Sequence, residues 1–388
     1  MWAGLPSRTE LTTLRHLGSG EGNTSVNNVL RERHTASGDD AGGLERRDLP
    51  DAAAHAVHDT AEEIAATIES MPRSSARRFS TLTDPELIEL VEAGCARLPH
   101  EVATAVRPPA TACGAAVVSR IPVTDAELGP TPRDWRAAAR RTPRSAAFRH
   151  ELAMLLLARC AGQPFGWLGQ QDGRLVNTIV PAPGHEDEQS GAGSTTLLAP
   201  HTEDAFHPAR AHLLLLGCLR NPDRVATTIS SVREVRLSPV ADRRLRTRVL
   251  PILPDVSYGN DFHRQPCPPV ATVGPAGTLR YDPAYTPLDD GDAEFRSAYT
   301  ELGAELERVC RTAILRPGQL LLLDNDVVVH GRVPFTPRYD GTDRWLLRVN
   351  IALPQRNRDP AERSETGYGQ RTVTPFAHTP RPTPPSYR

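Results

Sequence analysis

Apolar residues recur at helical intervals in four stretches of this 388-residue chain and gather in short blocks elsewhere. Val57, Ala61, Ile64, Ile68 and Met71 repeat every three or four positions, as do Leu87, Leu90, Val91, Cys95 and Leu98. This spacing predicts two helices with one apolar face each at the start of the folded part. Phe148, Leu152, Leu155, Leu156 and Cys160 predict a third amphipathic helix. A fourth runs through Phe295, Tyr299, Leu302, Leu306 and Val309, with Asp292 as its N-cap. The blocks at 114–123 (GAAVVSRIPV), 173–183 (GRLVNTIVPAP) and 344–353 (RWLLRVNIAL) read as strands, and 313–332 (AILRPGQLLLLDNDVVVHGR) as strand, turn, strand. Between the first two blocks, GPTPRDW (129–135) is a Pro-bearing loop.

Residues 1–48 carry Gly, Ser, Thr, Asn and charge without apolar periodicity and read as a mobile extension. The remainder, 49–388, reads as one domain ending in an irregular Pro-rich tail from 354. Helices followed by many short strands predict an α+β protein built on a β-sandwich or jelly roll, in which antiparallel strands bring distant positions to one interior face. A doubly wound fold fits poorly, because no Gly-rich phosphate loop opens a βαβ unit.

Composition narrows the chemistry. A net charge of −2 with both signs interspersed gives no footprint for nucleic acid or an anionic membrane, so small molecules are the expected partners. All 45 basic residues are arginine, which removes Schiff-base and P-loop lysine chemistry. Six cysteines are scattered without a Cys-x-x-Cys pair, so neither a zinc ribbon nor a disulfide framework is indicated. No apolar run of membrane-spanning length and no basic-then-apolar leader is present, which makes a cytoplasmic protein the expectation.

Candidate chemistry concentrates at 201–210 (HTEDAFHPAR) and 320–353. On a strand, His201 and Glu203 point the same way and can offer one imidazole and one carboxylate to a single metal; a distant His330 completes a facial triad. Two neutral imidazoles and a carboxylate leave positions open, the arrangement of non-haem Fe(II) chemistry with dioxygen rather than of closed structural zinc. Hydrolytic zinc chemistry lacks its HExxH helix. Arg344, Leu346, Arg348 and Asn350 share one face of the last strand, so both arginines can enter the metal's cavity and hold one carboxylate each; the alternative is that they reach solvent or pair with Asp324, Asp340 or Asp343.

The segments HTEDAFHPAR, CLRNPDR and HGRVPFTPRYDGTDRWLLR resemble the clavaminate synthase-like branch of Fe(II)/2-oxoglutarate oxygenases, in order, over about 80–355. The resemblance implies a double-stranded β-helix (jelly-roll) core with flanking helices and Fe(II) bound by His201, Glu203 and His330. It implies 2-oxoglutarate as cosubstrate with O2, its distal carboxylate held by Arg344 and a threonine of the ATT stretch, Thr228 in preference to Thr227. Relatives that act on free amino acids suggest Arg348 for the α-carboxylate and Glu203 for the α-ammonium. Gln170 or Gln171 and the loop at 188–194 resemble other parts of that pocket.

LRYDPAYT (279–286) resembles the segment where arginine hydroxylases carry two acids, but here Asp282 is followed by Ala284. One carboxylate clamps a guanidinium less well than two, so the expected substrate is a free L-amino or imino acid with a neutral or cyclic side chain, such as citrulline or pipecolate. Asp282 also suits a turn before Pro283. The implied reaction is hydroxylation of an unactivated Cβ or Cγ in natural-product biosynthesis. The alternatives are a carrier-bound aminoacyl substrate, desaturation or ring closure, and a metal-binding jelly roll without catalysis. His207 and His212 read as structural, Arg332 and Arg338 as braces of the loop through Asp340, and 258–262 as a cover over the cavity.

Overall fold

Residues 43–71, 79–140, 145–259 and 267–377 are described by the computed structural model. The expected mobility of 1–42 and the part of the expected cover at 260–262 lie outside them. The four predicted helices form as α1 (Asp51–Ser70), α2 (Pro85–Arg97), α3 (Ala146–Ala161) and α4 (Ala293–Arg308). Their starts are written in the sequence: Asp84 accepts from Glu86 N and Leu87 N, Ser145 from Phe148 N, and Asp292 from Phe295 N, each answering N–H groups that a first turn leaves free.

Helix α3 departs from the amphipathic expectation. It is buried on nearly every side, including His150, Glu151 and Arg159. It sits between α1, α2 and a sheet, and its charges are met from within: Arg159 by Glu92 at 2.7 Å and Glu151 by Arg174 at 2.7 Å. Burying one partner alone would strand a charge, so each pair holds its neighbours in register.

The strands among the described residues are, in chain order, β1 (Glu45–Asp48), β2 (Ala115–Ser119), β3 (Gln163–Trp167), β4 (Asn177–Ile179), β5 (Leu198–His201), β6 (Leu213–Arg220), β7 (Thr227–Ser231), β8 (Arg248–Leu250), β9 (Val270–Ala271), β10 (Arg311–Ala313), β11 (Leu320–Asp324), β12 (Val328–Arg332), β13 (Trp345–Ala352) and β14 (Thr372–Val373). The larger sheet has the order β1-β2-β11-β6-β13-β3-β14, with β4 also paired to β13. The smaller is β10-β7-β12-β5, antiparallel throughout, and β8 pairs with β9. Helices packed against a largely antiparallel sheet make the chain α+β.

Alternation along β13 divides the molecule. Trp345, Leu347, Val349 and Ile351 join α1, α2 and α3 in the main apolar core. Leu346 and Arg348 point the other way and line a cavity together with residues of β5, β7 and β12. A second core packs α4 and the short helix Pro239–Leu245 against Val329 of the smaller sheet.

Two boundaries differ from the sequence reading. The extension expected to reach residue 48 stops sooner, because β1 pairs parallel to β2 with Glu45 beside Ala116. Its strand is polar: Arg47 donates to Ala105 O at 2.8 Å and bonds Glu45 at 2.8 Å, and this polar anchoring gives no apolar alternation to read. The Pro-rich tail is short of regular structure yet docked. Arg356 pairs with Asp324 at 2.6 Å, Arg358 with Asp326 at 2.8 Å and Glu362 with Arg210 at 2.8 Å, while Phe376 is fully buried beneath Arg159.

Candidate active site

Between the sheets lies a cavity of about 760 Å³ lined by His201, Glu203, His330, Arg344 and Arg348. His201 ends β5, and its cross-strand partner in the register of β12 is His330. That pairing, rather than a loop, brings the two imidazoles together with ring centres 4.5 Å apart. Glu203 arrives differently from the expectation of strand alternation, since β5 stops at His201 and Glu203 sits in the turn that follows. Asn325 holds it there. Its side chain accepts from Glu203 N at 2.9 Å and donates to Glu203 O at 3.1 Å, so one buried amide replaces the missing strand ladder.

Glu203 Oε2 lies 3.7 Å from His201 Nε2 and 3.5 Å from His330 Nε2, and one ligand atom from each of the three falls within 4.8 Å of the others. Ala199 O is 2.8 Å from His201 Nδ1, which fixes the proton on that nitrogen and turns the Nε2 lone pair toward the shared centre. Burial disfavours the charged imidazolium, yet Glu203 beside it lifts His201 to about 9; His330 is lowered, by burial first and then by His201. The donor set fits a six-coordinate Fe(II) with room for further ligands.

The arginines flank this centre. Arg344 is buried, its Nε has no partner, and its one polar contact is a long 3.5 Å bond to Thr227 Oγ1. No acid among the described residues pairs with it, and burial lowers it to about 10. A buried guanidinium with an unmet N–H is costly unless a ligand carboxylate completes it, so 2-oxoglutarate fits here. The threonine on this face is Thr227, not Thr228. Thr227 stands opposite Arg332 and lines the cavity, whereas Thr228 stands opposite Gly331 with its hydroxyl on the other face of β7.

Arg348 bonds Glu203 Oε1, Gln170 Oε1 and, at 3.2 Å, Asn177 Oδ1, leaving its Nε unpartnered. Both glutamines line the cavity, and Gln170 is the one that bonds Arg348. Gln171 instead bonds the backbone of Thr178 in both directions. Residues 188–192 of the expected loop line the wall. Asp282 also lines it, while its Oδ1 accepts from Ala284 N and Tyr285 N, so the turn-forming and pocket-facing readings both hold.

Asp255 is among the acids of the wall that were not singled out in the sequence. It caps the turn at Ser257 N with a 2.7 Å bond. Asp282 is pushed up to about 7, by burial first, with His201 opposing and Asp255 adding to the rise; Asp255 is raised chiefly by burial. PDVSYG carries only a capping signature, and no spacing links it to Asp282 twenty-seven residues on.

Several expectations are corrected or located. Arg338 braces the loop through Asp223 at 2.7 Å rather than Asp340, and Asp343 accepts from the backbone of Arg338 and Tyr339. Arg332 donates to the carbonyls of Gly193, Ser194 and Thr196. His207 and His212 bond backbone groups, and burial holds each near 4. Tyr258, expected in a cover, is buried behind the site against Phe206 and Trp167. No helix among the described residues is long and apolar enough to cross a membrane.

Comparison with known proteins agrees with this geometry. Residues 172–350 match the family described as taurine catabolism dioxygenase TauD, TfdA family. Enduracididine beta-hydroxylase of Streptomyces hygroscopicus is 34% identical over 329 residues, 78% of this chain and 95% of that protein. The crystal structure of the non-haem iron oxygenase OrfP with Fe and alpha-ketoglutaric acid superposes with a TM-score of 0.65 at 35% identity, covering 79% of this chain and 94% of that one. Asparagine oxygenase with Fe(II), 2S,3S-3-hydroxyasparagine and succinate gives 0.67 at 32%, covering 79% and 93%. The chain belongs to the TauD/TfdA dioxygenase family and is an Fe(II)- and 2-oxoglutarate-dependent oxygenase.

Proposed function

We propose that the chain hydroxylates the Cβ of a free L-amino acid with a cationic side chain, in natural-product biosynthesis. The observation that carries this reading is the division of the cavity: an unpaired Arg344 beside the His201–Glu203–His330 centre, and Asp255 with Asp282 elsewhere on the cavity wall. We also infer that the two sheets are the halves of a double-stranded β-helix, supported by their antiparallel order and the cavity they enclose.

Each residue has a distinct task. His201, Glu203 and His330 hold the iron. Arg344 takes the distal carboxylate of 2-oxoglutarate, with Thr227 as neighbour. Arg348, kept in orientation by Gln170 and Asn177, offers its free Nε edge to the substrate α-carboxylate, while Glu203 faces the α-ammonium. Bound Fe(II) with 2-oxoglutarate supplies the dioxygen-derived oxidant that converts an unactivated C–H bond to C–OH. The burial of these groups keeps water from competing and fixes which carbon is nearest.

The side-chain end revises the expectation of a neutral substrate, which rested on Asp282 alone. With Asp255 added, two carboxylates on the cavity wall suit a guanidinium or ammonium. The names of relatives support Cβ: one is a beta-hydroxylase, and another holds a 3-hydroxy product. A carrier-bound substrate would place its thioester where Arg348 expects a carboxylate, so the free acid is the better fit.

The test is anaerobic titration of the Fe(II)·2-oxoglutarate protein with free amino acids, following the metal-to-ligand absorption band, then product mass spectrometry under air. L-Arginine and related cationic amino acids are expected to shift the band and gain one oxygen. Turnover of citrulline at or above that of every cationic candidate would overturn the cationic part.

A further inference from the structure

We infer that the Tyr258 hydroxyl is a latch that positions the Asp255 segment against the iron-ligand turn, making Tyr258 a positioning residue for substrate side-chain recognition. This rests on the function proposed above. The argument begins at Asp204, the residue after Glu203. Its backbone is left-handed, with φ 52°, a conformation that side chains other than glycine adopt at a cost, and Asp is among the residues that tolerate it. Its carboxylate is held on both oxygens: Oδ1 accepts from Tyr258 Oη at 2.5 Å and Oδ2 from Trp167 Nε1 at 2.6 Å.

Packing alone does not call for this arrangement. Tyr258 is buried, with its ring set edge-on to Phe206 at 5.0 Å and to Trp167 at 6.0 Å, and phenylalanine would serve that contact equally. A buried hydroxyl and a buried carboxylate are each costly alone and are tolerated together because each answers the other.

What the bond fixes is the segment on which Tyr258 stands. Asp255 is three residues earlier, at the start of the same single turn, and Tyr258 N bonds Asp255 O at 3.2 Å. Between them, Ser257 Oγ accepts from Gln170 Nε2 at 3.0 Å, and Gln170 in turn bonds Arg348. Leu253 N bonds Tyr285 O at 2.9 Å, which ties the preceding strand of chain to the turn of Asp282. One short segment therefore carries Asp255 for the substrate side chain, reaches Arg348 through Gln170, and bonds the residue beside the iron ligand. A shift at Tyr258 moves Asp255 relative to iron, and with it the carbon presented for oxidation.

The experiment compares wild type with Tyr258→Phe, which keeps the ring and removes the latch. Deuterium exchange of the amides in 253–259 should quicken by about tenfold, the effect of losing one buried hydrogen bond, while Fe(II) and 2-oxoglutarate affinities stay within about threefold. Exchange unchanged in that segment overturns the latch whatever the substrate proves to be. A wild type that binds no 2-oxoglutarate would instead sink the proposed function, and the exchange result would still decide the latch. By anaerobic calorimetry, L-arginine should bind Tyr258→Phe about tenfold more weakly, with no further loss in Asp255→Ala/Tyr258→Phe over Asp255→Ala alone. Fully additive losses would mean that Tyr258 acts elsewhere than through Asp255, and would overturn it. More 2-oxoglutarate consumed per product in Tyr258→Phe supports the latch, because a misplaced carbon wastes the oxidant; an unaltered ratio together with unaltered arginine affinity counts against it.

Discussion

The surroundings of Arg344 and of Asp282, two parts of one cavity wall, differ in their electrostatics. Around Arg344 the protein gathers positive charge and withholds its complement: burial lowers Arg344 to about 10, burial and then the charge of Arg344 lower Arg332 to about 9, and no acid among the described residues pairs with Arg344. Around Asp282 the protein gathers carboxylates, and burial with Asp255 raises Asp282 to about 7. Elsewhere in the same fold buried charges are matched within the protein, as in Arg159 with Glu92 and Arg210 with Glu362. The contrast separates structure from function. Arg159 and Arg210 meet their acids within the chain, whereas Arg344 is left for a ligand to complete.

The most severe way to break the comparison is to remove the metal centre of the cavity. His201→Ala or His330→Ala should abolish iron retention and reduce turnover by at least about a thousandfold, because two remaining donors no longer hold the ion. Metal analysis of the purified variants checks this, and full iron occupancy in either would refute the triad. Next comes Arg344→Ala. It should weaken 2-oxoglutarate by about a hundredfold, about 3 kcal/mol, with amino-acid affinity little changed. Unchanged cosubstrate dependence would mean that Arg344 does not face it.

Asp255→Asn and Asp282→Asn address the acidic wall. Each should lower the preference for L-arginine over citrulline by about tenfold, as expected for loss of one charged partner, while leaving 2-oxoglutarate affinity in place. Competition between the two substrates measures this ratio directly. An unchanged ratio in both variants would return the pocket to the neutral substrate first expected.

How much of this was visible in the sequence follows from the range of each signal. The four helices and β13 were legible because burial imposes a local period, and the caps Asp84, Ser145 and Asp292 act within three residues. The triad was legible in its donor types and spacing, Arg344 and Arg348 in their alternation along the last strand, and the resemblance added their expected ligands. β1 was hidden because an edge strand anchored by Arg47 has no apolar rhythm. Thr227 was missed in favour of Thr228 because choosing the face of β7 requires its register against β12. Asn325 and Asp255 act across 122 residues of sequence and between separate loops, where no periodicity reaches.

The finest test of the charge contrast is its pH dependence. Asp282 is held near 7, so it is neutral below that value and an anion above it. A carboxyl raised in this way attracts a cation only after it has lost its proton, and a guanidinium stays charged across the range. The arginine-over-citrulline preference should therefore rise as pH increases from about 6 to about 8, by up to about tenfold, and Asp282→Asn should flatten the rise. Arg344 stays charged over that interval, so 2-oxoglutarate affinity should change little. If the preference instead fell with rising pH, or if the slope persisted in Asp282→Asn, the acid that reads the side chain would have to be sought at Asp255.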